Sequence, residues 1–115
     1  MGLLNRCAVI IRPRTPYLEW AKQDDAEGLA DGVFESMRSN PTTYLVPPWD
    51  DDAGRKAVLK EGWSILFELM LECWVTDETY WPEPRTREMF DQWFEFTVSE
   101  SVEDLVPDEP IEDFG

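Results

Sequence analysis

The fold is decided by residues 50–75, DDDAGRKAVLKEGWSILFELMLECWV. The three aspartates at 50–52 indicate a helix start, because aspartate side chains cap free backbone N–H groups and suit the positive end of the helix dipole. From Val58 onward most positions are apolar. The polar positions at helical spacing are Glu61, Ser64, Glu68 and Glu72. We therefore expect a central helix that other elements cover on two sides or more.

Composition and charge limit the class of protein. The chain has 115 residues, 43% of them hydrophobic, which is enough for one domain with one core. It carries 25 acidic and 10 basic residues, a formal charge of -15. We expect residues 1–106 to form the domain and residues 107–115 to form an acidic tail. Such a field repels nucleic acid and anionic membranes and favours a basic protein partner.

The residue types present also limit the catalytic and metal-binding roles that the chain can have. The sequence has no histidine, and therefore lacks the usual general base near neutral pH and the commonest metal ligand. Its two cysteines, Cys7 and Cys73, lie in apolar runs and do not suggest a disulfide framework, which fits a reducing cytoplasm. The apolar run at residues 7–11 is too short for a signal-peptide core, and acids interrupt the central helix. We expect no cofactor, no metal and no membrane span; the oligomeric state stays open.

The remaining pattern predicts an α+β fold, a sheet of about three strands packed against the long central helix and shorter helices. A β-branched run at 7–11 predicts a strand buried on both faces. The helical passage from this strand to the next one is long enough for a right-handed crossover between parallel strands. A strand near a sheet edge is expected at 95–99, where polar and apolar residues alternate. The other expected elements are helices at 17–23 and 31–38, a short strand at 43–46 and a helix that Thr86 begins.

Several segments together show a resemblance. They are the runs VIIRP at 9–13, YLEW at 17–20, TYLVP at 43–47 and WPEPRTREMFDQWF at 81–94. Over roughly residues 5–106 the chain resembles a group of small, acidic, uncharacterised bacterial proteins. The resemblance implies a bacterial, soluble, single-domain protein. That group has no assigned function, so the resemblance identifies no catalytic or binding residue.

Two acidic clusters have simple structural explanations. Glu68 and Glu72 lie one helical turn apart and could hold a divalent ion or act as an acid–base pair. A hard cation needs more oxygen ligands than these, so we interpret the stripe as a solvated helix edge. The consecutive aspartates at 50–52 lack the alternating spacing of a calcium loop and fit helix capping better.

Two arginine pairs stand out in so acidic a chain. Arginine forks bind carboxylates and phosphates in a bidentate way, so the pairs could form an anion pocket with aromatic walls. The alternative is that the arginines pair with the chain's own acids or stack on its tryptophans. The candidate pocket residues are Arg12, Arg14, Tyr17, Trp20, Trp49, Tyr80, Trp81, Arg85 and Arg87.

The tryptophans near element ends allow two interpretations, partner binding or internal packing. Trp20, Trp49 and Trp81 lie near element ends, where exposed rings often anchor a partner and partly buried rings only pack. No nucleophile motif, phosphate loop, dinucleotide fingerprint or zinc spacing is present, which favours a binding protein over an enzyme. We therefore expect an acidic protein-binding or regulatory module. The alternative is a small enzyme or ligand-binding domain with an Arg/Trp/Tyr pocket for an anionic compound.

Overall fold

The chain adopts the expected α+β class. A computed structural model describes residues 2–3, 5–106 and 108–110. Its strands are β1 (Gly2–Leu3), β2 (Cys7–Pro13), β3 (Thr42–Val46), β4 (Phe94–Ser99) and β5 (Glu103–Asp104). Its helices are α1 (Thr15–Lys22), α2 (Ala30–Ser39), α3 (Asp52–Glu72) and α4 (Arg87–Trp93), with one 3-10 turn at Glu78–Tyr80. The expected tail falls partly on Pro107 and residues 111–115, which lie outside the described residues.

The main sheet has the order β3-β2-β4, with the predicted buried strand β2 in the middle and β4 at an edge. Both neighbours of β2 run antiparallel to it, so the predicted parallel crossover is wrong. The reason lies in the helix pair between β2 and β3. At the end of α2, Arg38 Nη1 donates to the Pro13 carbonyl at 2.7 Å, which returns the chain to the end of β2. The third strand therefore begins beside Ile11, where Thr42 pairs with it, and runs back along β2.

A second, two-stranded sheet pairs β1 with β5 in antiparallel register. The sequence did not predict it, because each strand has only two residues and no alternating pattern can be detected over that length.

Local capping explains where the two best-predicted helices begin. The Asp51 carboxylate accepts from the Gly54 amide at 2.7 Å and begins α3. The Thr86 hydroxyl accepts from the Met89 amide at 3.1 Å and begins α4. Both side chains satisfy backbone N–H groups that lack an intrahelical partner, as the sequence predicted.

The core lies between the sheet and α3, and α1 and α4 close its sides. Three phenylalanines form its centre: Phe67 of α3 lies 6.0 Å from Phe90 and 5.3 Å from Phe94, measured between ring centroids. Only one face of α3 is buried, through Leu59, Leu66, Phe67, Met70 and Leu71. The expectation of cover on two sides or more is wrong, since Ile65 remains 62% exposed.

Candidate functional site

The first arginine pair holds secondary-structure elements together. Arg12 lies in β2 opposite Glu95 of β4, and its Nε donates to the Arg38 carbonyl at 3.2 Å. Arg14 precedes α1, and its backbone N–H donates to the Trp93 carbonyl at 2.7 Å while its side chain is exposed. Arg12 therefore fixes the end of α2 to the sheet.

Arg85 of the second pair is engaged by the chain's own acids. Its side chain is 16% exposed, with Nη1 at 2.6 Å from Glu83 and Nη2 at 3.2 Å from Glu68. Its guanidinium carbon lies 5.7 Å from the centre of the Trp81 ring. Glu68 is thus half-buried and paired with Arg85. This finding corrects the interpretation of the acidic stripe at Glu68 and Glu72 as only a solvated helix edge.

The two arginine pairs do not converge. Arg87 bonds to Asp91 at 3.0 Å and lies over the Phe96 ring at 6.0 Å. Phe96 pairs with Ile11, the residue before Arg12, and successive strand residues point to opposite faces of a sheet. Arg12 and Arg87 therefore lie on opposite sides of the sheet, and the structure does not bring them into one anion pocket.

Two of the candidate aromatic residues are buried apart from the other three. Tyr17 is buried, and its hydroxyl donates to the Met70 carbonyl at 2.7 Å. Burial raises the pKa of Tyr17 well above its usual range, so the hydroxyl stays protonated. Trp49 is also buried, and its indole N–H donates to a Glu100 carboxylate oxygen at 2.7 Å. Neither ring lines the cavity that Trp20 and Tyr80 share.

The other three candidate aromatics do come together. Trp20 donates its indole N–H to the Tyr80 carbonyl at 3.0 Å, and Trp81 donates to the Val75 carbonyl at 2.9 Å. Trp20 and Trp81 are buried, whereas Tyr80 is 52% exposed. Trp20 and Tyr80 line a cavity of about 260 Å³ together with Asp24, Trp74 and Val75. Sequence reasoning missed Asp24 and Trp74, because their approach depends on how the end of α3 meets the end of α1.

A second concave surface lies between β3 and α3, and we call it the β3–α3 groove. Its volume is about 210 Å³. Its lining residues are Tyr44, Leu45, Val46, Pro47, Val58, Leu59, Gly62, Ile65, Leu66 and Leu69. None of them is charged, and burial raises the pKa of Tyr44 to about 12, so this hydroxyl is also neutral at physiological pH.

Acidic side chains border the groove along α3. Glu61 lies four residues before Ile65 and Glu72 lies three residues after Leu69, spacings that make neighbours on a helix surface. Both glutamates are exposed. Two sequence signals pointed to this surface: a helix apolar beyond one face, and a short strand without charged residues beside it. These signals did not lead to a predicted groove, because we expected other elements to cover this part of α3.

Comparison of the chain with protein-family models, curated proteins and solved structures found no match. In the described residues, no group of three or more His, Cys, Asp or Glu side chains could hold a metal ion. None of the helices within residues 5–106 is both long and apolar enough to cross a membrane.

Proposed function

We propose that this protein is an acidic protein-binding module that takes up an extended, basic segment of a partner protein in the β3–α3 groove. The observation that carries the proposal is an apolar groove beside an open sheet edge. Ile65 of α3 is 62% exposed and Leu45 of β3 is 51% exposed. Ile65 and the other uncharged residues of the groove form one apolar surface, and such surfaces mark interaction sites more often than scattered apolar residues do. Leu45 points to the face of β3 opposite Tyr44 and leaves the edge strand apolar on that face as well.

The edge strand is suited to accept another strand. Within the part of the chain that the structure describes, β3 pairs only with β2, so its other edge is unpaired. Residues Thr42–Val46 contain no charged residue and no proline, the devices by which natural edge strands avoid further pairing. An added strand would lie about 4.8 Å from β3. Its inward side chains would then cover Val58, Ile65 and Leu69 of α3.

The negative charge of the chain favours a basic partner segment over a second copy of the chain in the β3–α3 groove. A second copy of the chain would bring another formal charge of -15 to the same edge, and like charges oppose such pairing. A segment in which Lys or Arg alternates with Val, Ile or Leu would place its apolar side chains in the groove and its cations near Glu61 and Glu72. The alternative of an anion pocket is not favoured, because Arg85 and Arg87 are paired with acids of the same chain.

The test is selection from a display library of random 12-residue peptides. We expect enriched peptides to alternate basic and apolar residues. Ile65→Glu should weaken their binding about tenfold or more, because a buried aliphatic side chain contributes roughly 1.5–3 kcal/mol. Leu29→Glu is the matched control, since Leu29 is also exposed but lies outside the groove. Both variants gain the same negative charge, so a difference between them reflects the position of Ile65 in the groove and not the change in net charge.

Backbone pairing has its own measurement. Hydrogen exchange at the amides of Thr42–Val46 should slow when an enriched peptide is added, because strand addition bonds the free edge. Peptides with helical spacing and no such slowing would refute strand addition. Binding that survives Ile65→Glu, or self-association through the same edge, would refute the proposed groove and its occupant.

A further inference from the structure

The aromatic cavity is independent of the β3–α3 groove and has a different lining. It is open to solvent on one side and has a volume of about 260 Å³, and its lining residues are Trp20, Asp24, Trp74, Val75 and Tyr80. Pockets for drug-sized ligands are larger, roughly 300–1,000 Å³. The cavity therefore suits a compact head group.

Two indole hydrogen bonds hold the walls in place. Trp20 Nε1 donates to the carbonyl of Tyr80, and Trp81 Nε1 donates to the carbonyl of Val75. Between these anchors, the Asp77 carboxylate accepts from the Thr79 amide at 3.0 Å. The connector that carries Val75 and Tyr80 is thus fixed to α1 before any ligand arrives, which lowers the entropic cost of binding.

The only charged side chain in the lining is Asp24. The adjacent Asp25 caps α2, since its carboxylate accepts from the amides of Leu29 and Ala30 at 2.7 and 2.9 Å. Asp24 makes no comparable bond, and within residues 5–106 no Lys or Arg nitrogen lies within 4.0 Å of its carboxylate. Lys22, the nearest cation in the sequence, is bonded to Asp31 at 3.2 Å. Asp24 therefore places at the cavity an exposed negative charge that has no ion-pair partner within residues 5–106.

Aromatic rings attract cations through their quadrupole, and three of the five lining residues are Trp or Tyr. A primary ammonium group would have to give up hydrogen bonds to water among these rings, which costs free energy. A methylated ammonium has no N–H donors to satisfy and keeps its charge. We propose that Trp20, Trp74, Tyr80 and Asp24 form a binding site for a methylated ammonium group.

Choline is the probe, and 3,3-dimethylbutan-1-ol, which has the same shape without the charge, is its control. In an NMR titration of the full chain, the indole N–H signals of Trp20 and Trp74 should move with choline, while that of Trp49 should not. The neutral alcohol should bind roughly tenfold more weakly. Equal binding of the two compounds would show an apolar pocket only and would overturn the proposal.

Variants locate the site. Tyr80→Ala should weaken choline binding about tenfold and Tyr80→Phe should restore it, because the ring and not the hydroxyl is needed. Asp24→Asn should weaken binding several-fold, whereas Asp50→Asn makes the same charge change at the other end of α3 and should not. Equal effects of the two substitutions would reduce the site to the general field of the protein and overturn it.

A second ligand distinguishes the two sources from which the methylated ammonium group could come. A peptide with trimethyllysine, compared with the same peptide carrying unmodified lysine, tests a protein side chain, and choline tests a small molecule. The better ligand of the two identifies the source. Failure of both to bind would overturn the site while leaving the β3–α3 groove proposal unaffected, since Tyr80 and Asp24 lie outside that groove.

Discussion

Replacing Tyr17 with Phe would remove one hydroxyl from the core and leave the ring. Helix α3 ends at Glu72, so the Met70 carbonyl is one of the last four that have no intrahelical partner. The Tyr17 hydroxyl supplies that partner at 2.7 Å. The neighbouring carbonyls are satisfied differently: Leu69 accepts from the Cys73 thiol at 3.3 Å, and Leu71 accepts from backbone amides.

The expected loss follows from these contacts. A buried neutral hydrogen bond contributes about 0.5–1.5 kcal/mol net, and an unsatisfied buried carbonyl costs about 1–3 kcal/mol. The Phe ring would keep its contact with Trp20, whose centroid lies 5.4 Å from that of Tyr17. We therefore expect the free energy of unfolding to fall by about 1–3 kcal/mol near neutral pH in urea melts. Tyr80→Phe is the matched control and should change it by less than about 0.5 kcal/mol.

The pH dependence gives a second readout. The pKa of Tyr17 is raised by burial above its ordinary 10.0 in the folded state. The stability linked to its neutral hydroxyl is therefore complete below about pH 10 and is lost as pH rises toward the folded-state pKa. Tyr17→Phe should flatten this alkaline decline, leaving the part due to Tyr44, whose pKa is raised to about 12. Unfolding energies equal to those of Tyr80→Phe at every pH would refute the reasoning.

Three further substitutions or reactions test other contacts. Leu66→Ala should lower the free energy of unfolding by about 2–5 kcal/mol in urea melts, because Leu66 is buried in the core; a neutral result would contradict its place there. Glu68→Gln should cost about 0.5–1 kcal/mol in the same assay by removing one carboxylate from Arg85, and no change would mean that the pair contributes nothing. Iodoacetamide should alkylate Cys73 more slowly than a free thiol although the residue is exposed, since partial desolvation of the thiol and the Glu72 charge raise the pKa of Cys73; a rate equal to the free thiol, by mass spectrometry, would contradict this.

Features set by local chemistry were predictable from the sequence. The starts of α3 and α4 depend on Asp51 and Thr86, each of which bonds to an amide three residues later. The buried strand β2 was also predictable, because a short apolar run rich in β-branched residues, such as that at 7–11, is typical of a strand buried on both faces. The α+β class follows from these elements together.

Strand direction was not predictable, because it depends on contacts between distant parts of the chain. The length of the β2–β3 connection permits a parallel crossover. In the structure the end of α2 lies beside the end of β2, where Arg38 bonds to Pro13 and Arg12 to Arg38, so β3 begins there and runs antiparallel; neither bond is visible as a local pattern. Such contacts reverse the chain at one end of the sheet.

The candidate site was predictable in part for the same reason. Residue type and position near element ends identified Trp20, Tyr80 and Trp81, which the fold does bring together. The charges beside them were predicted in part: Arg85 does lie over the Trp81 ring, but it also bonds to Glu68, and the charge that lines the cavity with Trp20 and Tyr80 is Asp24. Which of several similar charges lies beside a ring is decided by tertiary packing.

Both proposed sites take cations because the chain's own cations are largely engaged. Within the described residues, acids pair with Lys22, Arg38, Arg55, Lys56, Arg85 and Arg87. Most of the acids in the part of the chain that the structure describes have no basic partner within 4.0 Å, so the surface attracts positive ligands from a distance. Salt should act unequally on the two sites. The acids at the groove would act on a peptide at a distance and are screened over about 8 Å at physiological ionic strength, whereas a cation in the cavity would contact the rings directly, although Asp24 is itself exposed. Raising the salt concentration should therefore weaken peptide binding at the groove more than choline binding at the cavity.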